Sequence, residues 1–408
     1  MTPAHGTAEP VELDRSALMQ TYAEPPVTFV RGDGTLLWDT EGRRYLDFLS
    51  GLAVTSLGHA HPVVADALNA QARTLLHTSN LFGNVVAPEV AATIDRLIGG
   101  GEERAGGQVF FCNSGAEANE CAFKLARKWA GPGRHVVLSA WDSFHGRTLA
   151  TLHATGKAAW HVAFAPLPEG FEHVPYDDLD ALDAACDPAR VAAVIVEPIQ
   201  GEAGVVVPSS DYLRGVRRIC TERGILLMVD EVQTGIARTG RWFAFQHTGV
   251  EPDVVTMAKA LGNGVPVGAC WARAEVAAAF APGDHASTFG GQPLAMAAAR
   301  ATLGVMEATG APGRAASAGA RLRRGLQATD GVSGVHGEGL LLGIALVSGR
   351  AKDVVVAALW RGLVVNAPRP DTIRMAPPLL VSDDEIEEAL VIFADAVGEV
   401  SSRERSDA

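Results

Sequence analysis

The chain has 408 residues, 48% of them hydrophobic and 20% charged, with a formal net charge of −13. That length suits two or three domains sharing a core, and the composition is that of a globular protein. The acidic balance repels nucleic-acid phosphate and anionic lipid, which argues against either as a partner, and no apolar run approaches the roughly 18 residues needed to span a bilayer.

Residues Met1 to Pro10 have neither a basic nor an apolar stretch, so a loose tail and a cytoplasmic address are expected rather than a signal peptide. Short alternating stretches come next at Val27 to Arg31, Leu36 to Asp39 and Arg44 to Phe48, split by Gly and Asp turns. They predict an antiparallel meander within an N-terminal segment, residues 1–60, that packs with a small domain. His59 and His61 in G-H-A-H-P have no Cys, Asp or Glu beside them at a ligand spacing, so a turn before a helix near Pro62 is expected and no metal site.

From 61 to 300 apolar runs alternate with helical periodicity, at Gln108 to Cys112, His135 to Ser139, Val191 to Glu197, Ile225 to Asp230, Val254 to Met257 and Val267 to Trp271. Fully apolar strands between helices predict an α/β large domain on a mostly parallel sheet covered on both faces. Residues 301–408 predict a smaller α+β domain: a long helix, strands near Leu340 to Leu346 and Thr372 to Met375, and a last helix opened by the capping-box spacing of Ser382 and Glu385. The five cysteines are odd in number and widely spaced, without C-x-x-C, which predicts free buried thiols.

In open α/β sheets ligands gather at the carboxyl ends of strands. After Gln108 to Cys112 the chain runs Asn113-Ser114-Gly115-Ala116-Glu117 into a helix, an anion site through the free N–H groups of the first turn. Ser114 with Glu117 is also an ordinary capping box. After Ile225 to Val229, Asp230 ends a buried strand and needs a partner: a helix N-terminus, an arginine, or a protonated ring nitrogen. Opposite charges about 4 Å apart at an effective dielectric of about 20 attract by roughly 4 kcal/mol, about three pKa units, enough to keep a pyridine nitrogen protonated.

After Val254 to Met257, Lys259 lies between an apolar strand and a glycine turn, where burial favours the neutral, nucleophilic amine; a lysine snorkelling at a strand end is the plainer reading. The other lysines suit this role less: Lys124 and Lys128 share a helix face, Lys157 is in a loop and Lys352 is at a helix start. A phosphate cradle, an acid for a ring nitrogen and an amine to hold an aldehyde are what pyridoxal 5'-phosphate requires.

At these residues the sequence resembles the fold-type I, class III aminotransferases, especially the acetylornithine aminotransferases, from about Tyr22 to Val397. The resemblance rests on N-S-G-A-E-A-N-E, F-H-G-R-T, V-E-P-I-Q-G-E, V-D-E-V-Q-T-G, A-K-A-L-G-N-G, S-T-F-G-G and I-R-M-A-P-P-L, in that order. It implies that Ser114, Gly115 and Ala116 hold the cofactor phosphate, that Phe144 stacks on the ring, and that Glu231, Val232 and Gln233 join Asp230 around it. Lys259 would be its covalent anchor, and Thr288 would reach the phosphate of a neighbouring subunit's cofactor in a homodimer with shared sites.

On the substrate side it implies Arg147 and Arg374 as carboxylate clamps, with Ser287 and Tyr22 nearby and Glu197 pairing with Arg374 until a substrate α-carboxylate arrives. The implied reaction moves an ω-amino group from N-acetylornithine, or a similar ω-amino acid, to 2-oxoglutarate. Leu52 fits this better than the tyrosine usual in ornithine aminotransferases. Trp141-Asp142 and Phe82-Gly83-Asn84 depart from the commonest patterns and keep ornithine, GABA or another biosynthetic donor open. So do two rivals: a mutase or epimerase on the same scaffold, which would consume no 2-oxoglutarate, and a non-catalytic protein, which would have lost Lys259 or Asp230.

Overall fold

In the computed structural model residues 15–407 are described, so Met1 to Pro10 lie outside the described residues. The centre is a seven-stranded sheet in the order Gly107–Cys112, Gly268–Arg273, Val254–Met257, Leu226–Asp230, Val191–Val196, Val136–Ala140 and Phe171–Val174. Every pairing is parallel except those of Gly268–Arg273, which runs antiparallel to both its neighbours. Val191–Val196 and Leu226–Asp230 are buried at every residue. That is why they read as unbroken apolar runs: helices cover both sides of a parallel sheet. Phe171–Val174 shows no such run because this edge strand has only four residues, among them an exposed Glu172.

The N-terminal meander forms over Phe29–Asp33, Leu36–Asp39 and Arg44–Asp47, and Leu363–Val364 completes its sheet by pairing in parallel with Leu46 and Asp47. A third sheet holds Val332–Glu338, Leu341–Leu346, Thr372–Met375 and Asn366–Arg369 in that order. The long helix expected after 300 is two helices, Pro293–Ala308 and Ala311–Gln327. Gly310 between them takes φ +61, a left-handed turn open to glycine, and Pro312 starts the second. Ser382 and Glu385 form the expected reciprocal cap on the last helix, Asp383–Asp407.

Arg238 ties these parts together. Its buried guanidinium donates to the Leu340 and Pro377 carbonyls and to Ser56 Oγ. Burial lowers it to about 9. All five cysteines are buried free thiols. Among the described residues no helix is long and apolar enough to cross a membrane.

Candidate active site

The strand ends converge on a cavity of about 370 Å³, lined among others by Gly115, Ala116, Phe144, Asp230 and Lys259. On one side the helix Gly115–Ala130 points its N-terminus at the space. Ser114 caps it, its Oγ accepting from Glu117 N at 3.2 Å. The first-turn N–H groups of Gly115 and Ala116 have no intrahelical acceptor and remain available to an anion. Position 115 must be glycine for a reason the sequence does not display: a Cβ there would lie 2.8 Å from a Val232 methyl.

Asp230 forms the floor. Its Oδ2 accepts from Asn119 Nδ2 and faces His145 Nδ1, both at 2.8 Å, and its Oδ1 accepts from Val232 N at 3.0 Å. Asn119 is itself fixed by Thr256 Oγ1 at 2.7 Å. His145 is fully buried; burial opposes its charge, but the Asp230 carboxylate prevails and raises it above the ordinary histidine value. Sequence reasoning missed both supports, although they stand inside the strings N-S-G-A-E-A-N-E and F-H-G-R-T. An aspartate so held presents its carboxylate to the cavity in a fixed position.

Lys259 opens a short 3-10 turn, Lys259–Gly262, with φ +39, strained for a residue with a Cβ. Burial lowers its pKa, with Glu202 opposing and Arg374 adding to the shift. No hydrogen bond or ion pair engages its amine among the described residues. On the opposite rim Arg147 lies 3.8 Å from the Trp160 ring centroid and 5.7 Å from that of Phe144. No carboxylate pairs with it among the described residues.

The second clamp corrects an expectation. Arg374 does not pair with Glu197. Its Nη1 meets Glu202 Oε1 at 2.5 Å and Gln233 Oε1 at 3.1 Å, and its Nε meets Asn366 Oδ1 at 3.1 Å. Glu197 follows a buried strand, lines the cavity, and its Oε2 accepts from Phe144 N at 3.0 Å. Burial raises it to about 7. Glu202 follows Gly201, whose backbone packs close on Gln233, where a Cβ would fall 2.0 Å from Oε1. Arg374 Nη2 is buried without a partner among the described residues.

Glu231 is the other correction, since its carboxylate faces away from the cavity. It accepts from Thr234 Oγ1 at 2.5 Å and from Phe245 N at 2.9 Å. Burial raises it to about 7 from 4.5. The folded chain therefore holds this proton more tightly than the unfolded chain, and stability should fall as pH rises from about 4.5 to about 7. Urea unfolding at pH 5 and pH 8 should show a smaller loss in Glu231→Gln than in the parent, by up to about 3 kcal/mol. Equal slopes would show that Glu231 titrates alike in both states.

Tyr22 is 82% exposed in the coil before the first strand and does not reach the cavity. Ser287 bonds to Asn113 Nδ2 at 3.1 Å and lines a neighbouring recess, and Thr288 beside it is exposed.

The family model described as aminotransferase class-III matches residues 18–397. The chain belongs to the class III aminotransferases. It is 47% identical over 389 residues to the acetylornithine aminotransferase of Corynebacterium efficiens, covering 94% of this chain and 96% of that one. It is 50% identical over 385 residues to that of Gloeobacter violaceus, covering 92% and 94%. Among solved structures it is similar to the ornithine aminotransferase of Toxoplasma gondii, with a TM-score of 0.90, 37% identity and coverage of 96% and 94%. The acetylornithine aminotransferase of Elizabethkingia anophelis gives a TM-score of 0.83 at 34% identity, covering 95% and 98%.

The aminotransferase is thus an enzyme of amino-group transfer, with pyridoxal 5'-phosphate as its cofactor. The residues present fit that group: free N–H groups for the phosphate, Phe144 and Val232 on the cavity walls, a fixed carboxylate and an unengaged amine. When bound, the cofactor supplies an aldehyde that captures amines and a ring that takes up electrons. A neutral Lys259 can move a proton at the substrate carbon, and Asp230 can hold the ring nitrogen's proton.

Proposed function

We propose that the enzyme transfers the ω-amino group of N-acetylornithine, or a close ω-amino acid, to 2-oxoglutarate, giving a semialdehyde and glutamate. The observation that carries this reading is Arg374: held by Glu202, yet with a buried Nη2 that has no partner among the described residues. A buried unpaired donor is costly and awaits an acceptor. Glutamate, reacting at its α-carbon, brings a carboxylate that can claim Arg374 from Glu202. An ω-amine donor brings none near its reacting carbon, and Glu202 then keeps the cation neutralised. Arg147 remains for the far carboxylate of either substrate. The acetylornithine aminotransferases at up to 50% identity support the donor.

The experiment is a screen of amine donors against 2-oxoglutarate. N-acetylornithine is expected to react faster than ornithine, because Leu52 offers no hydrogen bond to a charged α-amino group. Faster reaction with ornithine would reverse the donor assignment.

We read the working unit as a homodimer in which Thr288 serves the neighbouring site. Exposed Leu81, Phe82, Val85 and Phe289 support this, since such side chains on one surface suit burial against a second copy. Roles for Ser287 and Tyr22 near substrate belong to the same assembly. Free thiols suit a reducing cytoplasm. We divide the chain into residues 1–60, 61–300 and 301–408; the separate central sheet supports this, and Leu363–Val364 joining the N-terminal sheet supports packing of the first segment with the last.

A further inference from the structure

Immediately after the strand Arg44–Asp47 the chain winds left-handed. Ser50, Gly51, Leu52 and Ala53 take φ +51, +61, +70 and +63. Leu52 N and Ala53 N donate to Leu49 O at 3.0 Å, and Val54 N donates to Ser50 O at 2.8 Å, closing a left-handed turn. Only one of the four is glycine, and each of the others brings its Cβ against the following carbonyl. Strain of this kind persists only where the surroundings over-determine it.

Two clamps do so. Asp47, 2% exposed, accepts with Oδ1 from Leu49 N at 3.0 Å and Ser50 N at 2.7 Å. Its Oδ2 is held 2.7 Å from His59 Nε2. Beyond the turn, Asn263 accepts from Leu57 N at 2.8 Å and donates to Gly58 O at 3.1 Å. Asn263 ends the 3-10 turn that starts at Lys259, so the left-handed turn is fastened to the segment carrying the reactive amine. Val54, which closes the turn, lines the cavity with Lys259, and Leu52 is exposed within the turn.

We propose that Asp47 and His59 are a positioning pair that locks this strained turn, and that the turn is the apolar wall selecting the amino donor. His59 is thereby given a task that its place in G-H-A-H-P does not reveal. The proposal rests on reading the cavity as an amino-transfer site. The two substrates should feel the wall differently. Glutamate is short and held at both ends by arginines. An ω-amine donor extends a methylene chain whose placement depends on apolar contact.

The test is stopped-flow of the two half-reactions, with glutamate and with N-acetylornithine, in the full-length holoenzyme. Asp47→Asn keeps the shape but loses the charge facing His59. It should lower donor kcat/KM about ten-fold, the scale of one charge-assisted contact, while glutamate kcat/KM moves less than about three-fold. His59→Gln should act in the same direction and carries the test if Asp47→Asn does not fold. Adding Ala53→Gly to Asp47→Asn removes a Cβ from a left-handed residue and should restore the donor to within about three-fold of wild type. A merely structural pair would lower both half-reactions together and melt early, without rescue by glycine. That result, or unchanged donor kinetics, would overturn the proposal. Failure of the wild-type enzyme to react with either substrate would instead overturn the reading of the site.

Discussion

Replacing Lys259 with alanine is expected to abolish both the visible absorbance of the lysine-held cofactor and turnover, while the fold persists. Lys259 alone among the lysines lines the cavity. Lys124 donates to the Asp284 carbonyl and Lys128 pairs with the Asp284 carboxylate, both on an exposed helix face. Lys352 is exposed, and Lys157 reaches the Glu202 carbonyl at 3.4 Å and the Trp160 ring centroid at 5.2 Å without lining the cavity, which makes Lys157→Ala the natural control. A positioned proton-transfer group contributes about 10²–10⁴-fold, so single-turnover rates should fall by at least that much. The strained φ at Lys259 is relieved little by alanine, which keeps the Cβ, so thermal unfolding should move slightly. A surviving absorbance band in Lys259→Ala, or its loss in Lys157→Ala, would move the anchor elsewhere.

Arg374→Ala should split the two half-reactions. Glutamate loses a charge-assisted contact of about 1.5–3 kcal/mol, which is on the order of ten- to a hundred-fold in its half-reaction. The donor half should change much less. The single variant also strands Glu202. Burial pushes this carboxyl up, but Arg374 prevails and holds it below its ordinary value. Without the arginine, Glu202 would repel or compete with an incoming carboxylate, so Arg374→Ala/Glu202→Ala is the cleaner comparison. Glu202→Ala alone should improve glutamate binding, because the cation is no longer shared. The same substitution at Glu197 should not, since that carboxylate bonds to Phe144 N instead. Stopped-flow rates with each substrate decide it, and equal damage to both halves by Arg374→Ala would refute the two-clamp scheme.

Much of this site is legible in the amino-acid order because its parts are local. Strands of a parallel sheet buried on both faces must be largely apolar, so Val191–Val196 and Leu226–Asp230 up to its final acid show as clean runs. Residues just past such a run stand at the end of a strand, which singles out Lys259, Asp230 and the cap at Ser114 without knowledge of what they face. Pairings across the fold are another matter. V-E-P-I-Q-G-E offers two glutamates, and the sequence does not say which carboxylate meets an arginine far along the chain at 374. Only the folded chain decides it: Arg374 meets Glu202 and Gln233, from two separate strand-end loops, while Glu197 bonds to Phe144 N. His145 and Asn119 became supports of Asp230 only when the helix Gly115–Ala130 and the loop at 145 were packed over the same strand end. The left-handed turn at Ser50 to Ala53 has no local signature either, because three of its residues resist that conformation. Asp47 holds its start locally, but His59 on Asp47 and Asn263 on Leu57 and Gly58 fasten it from further along the chain, and those contacts exist only once the chain is folded.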